Sequence, residues 1–212
     1  MVPKMLHVVW IGDETKMPAK CVQSWQDKNP DYELHVWGNG HLTNYPWHNQ
    51  KQIDQMMDKQ DYAGVADLMR YEILYRFGGI ALDADSYCQR PLEDWLLEAP
   101  AFSAWEQEHV RNNLIATTFM GGVKRHPFWK ECIDRLHQTD CSEPKLAWLI
   151  TGPKLVTEVY FANVAPFTVY PSHFFIKHHH SGFVSKAEGH RFADHLWGSA
   201  IGYNDMDSHI KD

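Results

Sequence analysis

The sequence contains no long run of Lys or Arg, and its formal net charge is −7. A nucleic-acid-binding protein needs a basic surface to displace counterions from phosphates, so this charge balance argues against nucleic acid as a partner. A nucleotide ligand stays compatible with it, because a bound cation would supply the missing positive charge locally.

The sequence also has few cysteines, no CxxC pair and no long apolar run. Neither a zinc knuckle nor a redox dithiol is indicated, and we expect buried thiols in a reducing compartment. No apolar stretch approaches the ~20 residues needed to span a bilayer. The first residues lack the charged and apolar regions of a signal peptide, so we predict a cytoplasmic protein without a transmembrane segment. The cysteines are Cys21, Cys88, Cys132 and Cys141.

The composition is that of an ordinary globular protein. The chain has 212 residues, of which 44% are hydrophobic and 22% are charged, and this length fits one domain with a full core. Nine Trp, nine Tyr and ten Phe are present, and such side chains build cores as well as platforms for nucleobases and sugar rings. The sequence has no internal repeat, low-complexity segment or linker, so we predict a single domain.

The first half of the chain has the pattern of an α/β sheet. A strand over Met5–Trp10, a helix over Cys21–Lys28 and a strand over Tyr32–Trp37 open the chain. A short helix is predicted over Gln52–Lys59. Apolar residues at helical spacing predict a longer helix over Tyr62–Phe77, which Gly78 and Gly79 end as a C-cap pair before a short strand over 80–82.

The second half is less regular. Its predicted strands and helices alternate, and the tail from His178 onward is predicted to be a loop because it is rich in His, Gly and polar residues. The strands are predicted over Ala101–Trp105, Leu114–Met120, Phe167–Tyr170 and His173–Ile176, and the helices over His126–His137 and Lys154–Asn163.

Asp83-Ala84-Asp85 directly follows the short strand that comes after the double glycine. In open α/β sheets ligands bind at the carboxyl ends of strands. Carboxylates at positions i and i+2 lie on the same side of an extended segment, so Asp83 and Asp85 can approach one hard cation such as Mg²⁺ or Mn²⁺. The alternative is a solvated turn, because two carboxylates at a strand end also occur by chance.

Asp67 and Arg70 stand three residues apart on the preceding helix and share one of its faces. One interpretation is a surface ion pair that contributes roughly 0–1 kcal/mol. The functional interpretation is that Arg70 faces a diphosphate or a sugar, because a planar guanidinium suits both, while Asp67 orients it or binds sugar hydroxyls.

These motifs together resemble a known family. The stretch Ala66–Asp85, with Asp67, Arg70, the double glycine and the D-x-D, closely resembles the signature of the DXD-containing sugar transferases. That family includes the initiating mannosyltransferases of fungi and many bacterial capsule and lipopolysaccharide sugar transferases, and more distantly the large clostridial glucosylating toxins. Further positions are similar in the same order, namely Val2–Trp10, Ser24-Trp25, Asn29–Glu33, Trp37 and Pro91-Leu92.

The resemblance implies a fold and an activity. The expected fold is a GT-A-like (Rossmann-like) mixed sheet flanked by helices, with residues 1–110 as the nucleotide-sugar-binding half and 111–212 as the acceptor-side half with a closing segment. The implied reaction moves a sugar from a UDP- or GDP-sugar to an acceptor hydroxyl of a glycan, lipid or polysaccharide. It is expected to use Mn²⁺ or Mg²⁺ and to retain the anomeric configuration.

The resemblance also assigns roles to individual residues. Trp10 would stack on or border the nucleobase, unless it is simply a core aromatic at a strand end. Asp85 would be the direct metal ligand, with Asp83 turned partly toward the ribose or sugar. His195, in a stretch similar to the closing segment of the family, is the candidate for the third ligand. The implied catalytic residues are Asp67, Arg70, Asp83 and Asp85, and the implied donor-binding residues are Val8, Trp10, Asp67, Arg70, Tyr71, Asp83, Ala84, Asp85 and Asn113.

Two further features of the sequence carry predictions of their own. We predict that His178–His180 is a loop and no metal site, because adjacent side chains diverge in extended or helical backbone. Glu106, at the end of a predicted strand, is a candidate on the acceptor side.

The alternative functions are a metal-dependent phosphohydrolase or phosphotransferase that uses the D-x-D, and a carbohydrate-binding domain without enzymatic activity.

Overall fold

The computed structural model describes residues 1–201, 206 and 210. Nine strands and eight α-helices lie within that part of the chain. The strands are β1 (Met5–Val9), β2 (Glu33–Trp37), β3 (Gly79–Leu82), β4 (Ser86–Cys88), β5 (Ala101–Gln107), β6 (Arg111–Ile115), β7 (Phe119–Gly122), β8 (Thr168–Tyr170) and β9 (Ala193–His195). The helices are α1 (Ala19–Lys28), α2 (Gly40–Asn44), α3 (Gln50–Asp58), α4 (Tyr62–Phe77), α5 (Pro127–His137), α6 (Ala147–Ile150), α7 (Pro153–Phe161) and α8 (Gly198–Ile201).

Seven of the strands form one mixed sheet in the order β2-β1-β3-β7-β5-β6, with β8 paired to β5. Strand β1 is parallel to both β2 and β3, whereas β7 is antiparallel to β3 and β5. Apolar clusters cover both faces of this sheet. The predicted α/β fold with a mixed sheet flanked by helices is therefore confirmed. No helix in the described part of the chain is long and apolar enough to cross a membrane.

Helix α4 has the predicted bounds, but it is too deeply buried for Asp67 and Arg70 to lie at the protein surface. Ten of its sixteen residues are buried, including Asp67, Arg70 and Glu72. The helix packs against α3, α5, β1 and β3, so it lies inside the protein rather than at its surface. The interpretation of Asp67 and Arg70 as a surface ion pair is therefore wrong.

Several predictions for the second half are wrong. The strand predicted over Leu114–Met120 is interrupted between β6 and β7, because the backbone there turns to place the Thr117 and Thr118 carbonyls near α4 and β3. Residues 172–174 form a 3₁₀ turn that overlaps the start of the strand predicted over His173–Ile176. The tail predicted to be a loop contains β9, and the part of it beyond residue 201 lies largely outside the described residues.

A separate two-stranded ladder joins distant parts of the chain. Strand β4 begins directly after the D-x-D, and it pairs antiparallel with β9 so that Ser86 faces His195. The Leu196 N–H also donates to the Asp85 carbonyl at 2.9 Å. This ladder fixes the C-terminal segment beside the D-x-D.

Candidate active site

A cleft of about 830 Å³ opens where β1 and β3 end. The two strands are parallel, so Trp10 and Asp83, which follow them, meet at one edge of the sheet. This is the edge at which open α/β sheets bind ligands, and the volume lies within the usual range of ligand pockets. Helix α4 and the segments around residues 106–118, 146–153 and 180–200 complete the walls.

Asp83, Asp85 and His195 converge inside this cleft, and one ligand atom from each lies within 4.8 Å of the others. His195 Nε2 lies 3.1 Å from Oδ1 of Asp85 and 3.4 Å from Oδ2 of Asp83. The remaining oxygen of each carboxylate has a protein partner, because Arg70 donates to Asp83 Oδ1 and the Gly198 N–H donates to Asp85 Oδ2 at 2.6 Å. Two carboxylate oxygens and one imidazole nitrogen are thus left facing a common point.

The donor set fits a divalent cation. Carboxylate oxygen and imidazole nitrogen are both ligands for Mn²⁺, and hydrogen bonds to the non-ligating oxygens orient such groups. Burial by itself raises the pKa of Asp85, but His195 and the Gly198 N–H lower it below its ordinary value. Burial lowers the pKa of His195, whereas Asp85 and Asp83 raise it above its ordinary value. The arrangement therefore keeps Asp85 ionised, as a metal ligand must be.

The Arg70 guanidinium lies between two carboxylates. It donates to Asp83 and, at 2.5 Å, to Asp67, and it also donates to the Thr117 carbonyl at 3.1 Å. Burial opposes the charge on Arg70, but the two aspartates raise the pKa of its guanidinium above the ordinary value. Burial raises the pKa of Asp67 to about 6, against the opposing effect of Arg70. Arg70 therefore presents a fixed positive charge beside the Asp83 carboxylate.

Asp67 is itself held from the opposite side by the α6–α7 junction. Its Oδ2 accepts from the Thr151 hydroxyl at 3.1 Å. Gly152 lies so close that a Cβ there would come within 2.9 Å of the same oxygen. A continuous series of hydrogen bonds thus connects the second half of the protein to the D-x-D, and it runs through Thr151, Asp67, Arg70 and Asp83.

Several residues of the family-like motifs have a structural role outside the cleft. The Trp25 indole N–H donates to the Ser86 carbonyl at 3.0 Å, and Ser24 Oγ accepts from the Cys88 N–H at 2.8 Å. Asn29 Oδ1 accepts from the Leu92 N–H at 2.7 Å. These contacts attach the segment after the D-x-D to helix α1, which accounts for the spacing of the motifs.

Three residues predicted to bind the donor do not line the cleft. Val8 points into the core on the other face of the sheet, because side chains alternate along a strand and its neighbour Val9 faces the cleft side. Tyr71 is buried beside Arg70 and donates to the Thr151 carbonyl at 2.5 Å, so its role is to support α4. Asn113 is an exposed residue of β6 that does not line the cleft.

The other predicted residues lie in the cleft. Trp10 borders it, and its indole N–H donates to the Asp13 carbonyl at 2.9 Å, which orients the ring. The remaining predicted residues that line the cleft are Asp67, Arg70, Asp83, Ala84, Asp85, Glu106 and His195.

The sequence interpretation missed a second polar cluster, made of Glu106, His179 and His180, whose nearest ligand-type atoms lie within 4.8 Å of one another. The argument that adjacent His side chains diverge does not apply here, because a turn closed by the Gly182 N–H and the His179 carbonyl brings the two imidazole rings to 4.2 Å. The only signal in the sequence was the Gly182 that follows the three histidines.

Several solved glycosyltransferases share this fold. The PaToxG glycosyltransferase superposes with a TM-score of 0.62 at 16% identity, over 77% of this chain and 70% of that one. A glycosyltransferase involved in glycosylation of the major capsid of PBCV-1 gives a TM-score of 0.58 at 11% identity, over 97% of both chains. The molecule thus has the fold of the GT-A-type glycosyltransferases.

One region of the sequence matches a known family. Residues 16–102 match the family described as "Glycosyltransferase sugar-binding region containing DXD motif". The predicted resemblance to the DXD-containing sugar transferases is confirmed for this region, which makes up less than half of the chain.

Individual relatives agree with this assignment. The chain is 35% identical to inositol phosphoceramide mannosyltransferase 3 of Schizosaccharomyces pombe, over 64% of this chain and 37% of that protein. It is 29% identical to mannosyl phosphorylinositol ceramide synthase CSH1 of Saccharomyces cerevisiae, over 76% of this chain and 43% of that protein. It is 29% identical to a glycosyltransferase of Acanthamoeba polyphaga mimivirus, over 73% of this chain and 63% of that protein. The chain therefore spans less than half of the two yeast relatives.

Proposed function

We propose that this chain transfers a hexose from a nucleotide-diphospho-sugar to a hydroxyl of a glycan, lipid or polysaccharide acceptor. The observation that carries the proposal is the convergence of Asp83, Asp85 and His195 on one point beside Arg70, inside a cleft of ligand size. The names of the yeast relatives make mannose the first sugar to test. The donor nucleotide can be UDP or GDP, because the UDP-bound toxin domain that shares the fold is only 9% identical to this chain and does not decide between them.

Asp83, Asp85 and His195 would hold Mn²⁺ or Mg²⁺ on the donor diphosphate. When bound, the cation supplies electrostatic stabilisation for negative charge that develops on the leaving group. Arg70 adds a fixed positive charge at the same end of the cleft, already oriented by Asp67 and Asp83. A charge that is oriented before the reaction costs no reorganisation in the transition state. Trp10 borders the position proposed for the nucleobase.

For the chemical step we propose front-face attack with retention of configuration. The acceptor oxygen bonds to the anomeric carbon on the face from which the diphosphate departs. The bond between that carbon and the phosphate oxygen breaks with its electron pair on the phosphate, which also takes the acceptor proton. The cytoplasmic location stays a prediction from the sequence.

A thermal-shift screen of UDP- and GDP-sugars, with and without Mn²⁺, tests the proposal. A donor at 100 times its Kd stabilises the native state by about 2.7 kcal/mol, which corresponds to a rise in Tm of roughly 5–10 °C for a chain of this size. Asp85→Asn should abolish the Mn²⁺-dependent rise, whereas the matched change Asp58→Asn, at an exposed carboxylate of α3, should preserve it.

Analysis of the products separates the alternatives. A glycosyltransferase releases a nucleoside diphosphate from the donor that the screen identifies. Release of orthophosphate would instead favour a phosphohydrolase, and Mn²⁺-independent binding without turnover would favour a carbohydrate-binding domain. Full Mn²⁺-dependent turnover by Asp85→Asn would refute the metal site.

A further inference from the structure

Glu106 lines the cleft but does not belong to the Asp83, Asp85 and His195 cluster. Its side chain is only 7% exposed, and its Oε1 contacts Nε2 of His179 at 3.3 Å and Nε of Arg111 at 3.4 Å. No described residue donates a hydrogen bond to Oε2. Because a buried carboxylate is costly unless it is paired, the protein compensates one oxygen while the other is left for a ligand in the cleft.

His179 has the tautomer that such an arrangement needs. Its Nδ1 accepts from the Ser181 N–H at 3.2 Å, so in the neutral imidazole the proton lies on Nε2 and points at Glu106. The ring is buried, and Trp197 packs against it at 5.0 Å. A carboxylate that is oriented by a fixed His is pre-organised for binding.

Trp197 connects this carboxylate to the proposed metal ligands. The Trp197 indole lies 4.4 Å from the ring of His195 and 4.7 Å from the ring of His180, measured between centroids. Its N–H donates to the His178 carbonyl at 2.8 Å, which fixes the indole between the two clusters. Glu106 thus lies one aromatic side chain away from the point where the donor sugar would be held.

The wall beside Glu106 suits a ring that carries hydroxyls. The Arg111 guanidinium lies 4.8 Å from the Trp148 ring, and both line the cleft with Leu146. A sugar or cyclitol has apolar C–H surface for the aromatic residues, hydroxyl hydrogens for the carboxylate and hydroxyl oxygens for the guanidinium.

A second cation is the competing occupant of Glu106, His179 and His180. It is disfavoured because Arg111 places a positive charge 3.4 Å from the same carboxylate.

We infer that Glu106 is the acceptor-binding carboxylate of this cleft, that His179 is its positioning residue, and that the acceptor group is a neutral polyol ring. The inference rests on the proposed function, since it needs a donor sugar in the same cleft. Glu106 accepts hydrogen bonds from acceptor hydroxyls and thereby holds the attacking oxygen near the anomeric carbon. The acceptor proton still passes to the leaving phosphate.

The test uses the donor identified in the screen, with methyl α-D-mannoside and myo-inositol as probe acceptors. Mass spectrometry measures how much sugar is transferred to each polyol and how much to water. We expect Glu106→Gln to lower the ratio of transfer to hydrolysis at least tenfold. Its Mn²⁺-dependent Kd for the donor should stay within about twofold of the wild-type value. The matched change Glu98→Gln, at an exposed glutamate, should alter neither quantity.

His179 is tested by a pair of variants. His179→Ala should raise the KM for the polyol without changing the Mn²⁺-dependent Kd for the donor. His179→Gln should restore most of the affinity, because its amide N–H can donate to Glu106 in place of Nε2. A purely structural role would instead lower hydrolysis, transfer and Tm together in both variants.

Each other outcome is decisive. An unchanged transfer ratio in Glu106→Gln, or loss of donor binding in that variant, would overturn the acceptor role. Loss of one of two bound Mn²⁺ ions in Glu106→Gln would establish the competing cation site. Hydrolysis by the wild type without transfer to either polyol would refute the substrate class. Absence of donor binding by the wild type would overturn the proposed function itself.

Discussion

Arg70 carries a buried charge that three partners compensate from different parts of the chain: the Asp67 and Asp83 carboxylates and the Thr117 carbonyl. The i, i+3 spacing of Asp67 and Arg70 was visible in the sequence. Their burial was not, because it depends on the helices and strands that cover α4. An ion pair that would contribute little to stability at the surface holds Asp83 of the D-x-D in place when it is buried.

Arg70→Met should destabilise the protein by about 3–5 kcal/mol at pH 7, because it leaves Asp67 buried without its partner. Arg70 opposes the rise in the pKa of Asp67 that burial causes, so this pKa rises further in the variant. A carboxyl whose pKa is higher in the folded than in the unfolded state gains stability as the pH falls. The deficit should therefore shrink between pH 7 and pH 5, as measured by urea unfolding.

The control for Arg70→Met is Arg135→Met, which removes an i, i+4 pair with Glu131 in which both side chains are about one third exposed. We expect it to cost less than about 1 kcal/mol with little pH dependence. A cost for Arg70→Met as small as that of the control would contradict the buried-pair account.

At the scale of elements, the junction between α6 and α7 packs against helix α4 and fixes the position of its Asp67 side chain. Thr151 donates to Asp67, and Gly152 leaves room for the same carboxylate. The sequence predicted only the helix over Lys154–Asn163 that follows this junction. Its position against α4 follows from how the second half packs on the sheet.

Gly152→Ala should displace Asp67 or the α6–α7 junction, since the new Cβ would lie 2.9 Å from Asp67 Oδ2 and 3.1 Å from the Trp148 Cα. Overpacking of this kind costs about 1–3 kcal/mol, and Mn²⁺-dependent donor turnover should fall with it. Gly40→Ala is the matched control, because its Cβ meets no atom within 4 Å. Equal unfolding midpoints for the two variants would show that the junction tolerates the methyl group.

At the scale of the whole molecule, the site is assembled by the β4–β9 ladder. This ladder places His195 opposite Ser86, and the Leu196 and Gly198 N–H groups reach the Asp85 carbonyl and carboxylate. The candidate site is thus built from residues more than one hundred positions apart in the chain, and its integrity depends on the C-terminal segment staying docked.

Binding of Mn²⁺ should therefore stabilise both strands of the ladder against local opening. We expect Mn²⁺ with a nucleoside diphosphate to slow amide hydrogen exchange at Leu196 and Gly198, because their N–H groups are bonded to a proposed ligand. Local opening of a segment governs such exchange, and a ligand that binds only the closed form suppresses it. Helix α5, which contributes no residue to the cleft lining, should exchange at an unchanged rate. Protection confined to residues 83–88, with none at 193–198, would remove His195 from the site.

The amino-acid sequence by itself determined most elements of the first half, apart from α2 and β4, and it determined the resemblance to the family. Periodic apolar residues, glycine stops and the D-x-D are local signals, so the bounds of α4, the Asp67–Arg70 spacing and the strand before Asp83 could be read directly. The nomination of His195 rested on the family resemblance alone, since no local pattern links it to Asp85.

Tertiary structure decided what these local signals leave open. Whether a strand residue faces the cleft depends on which face of the sheet is covered, and this placed Val9 in the cleft and Val8 in the core. Which side chains meet depends on non-local pairing, and this brought His195 to Asp85 and His179 to Glu106. The physical reason is that a ligand site needs groups from several strand ends and loops, whereas sequence spacing specifies proximity only within one helix or strand.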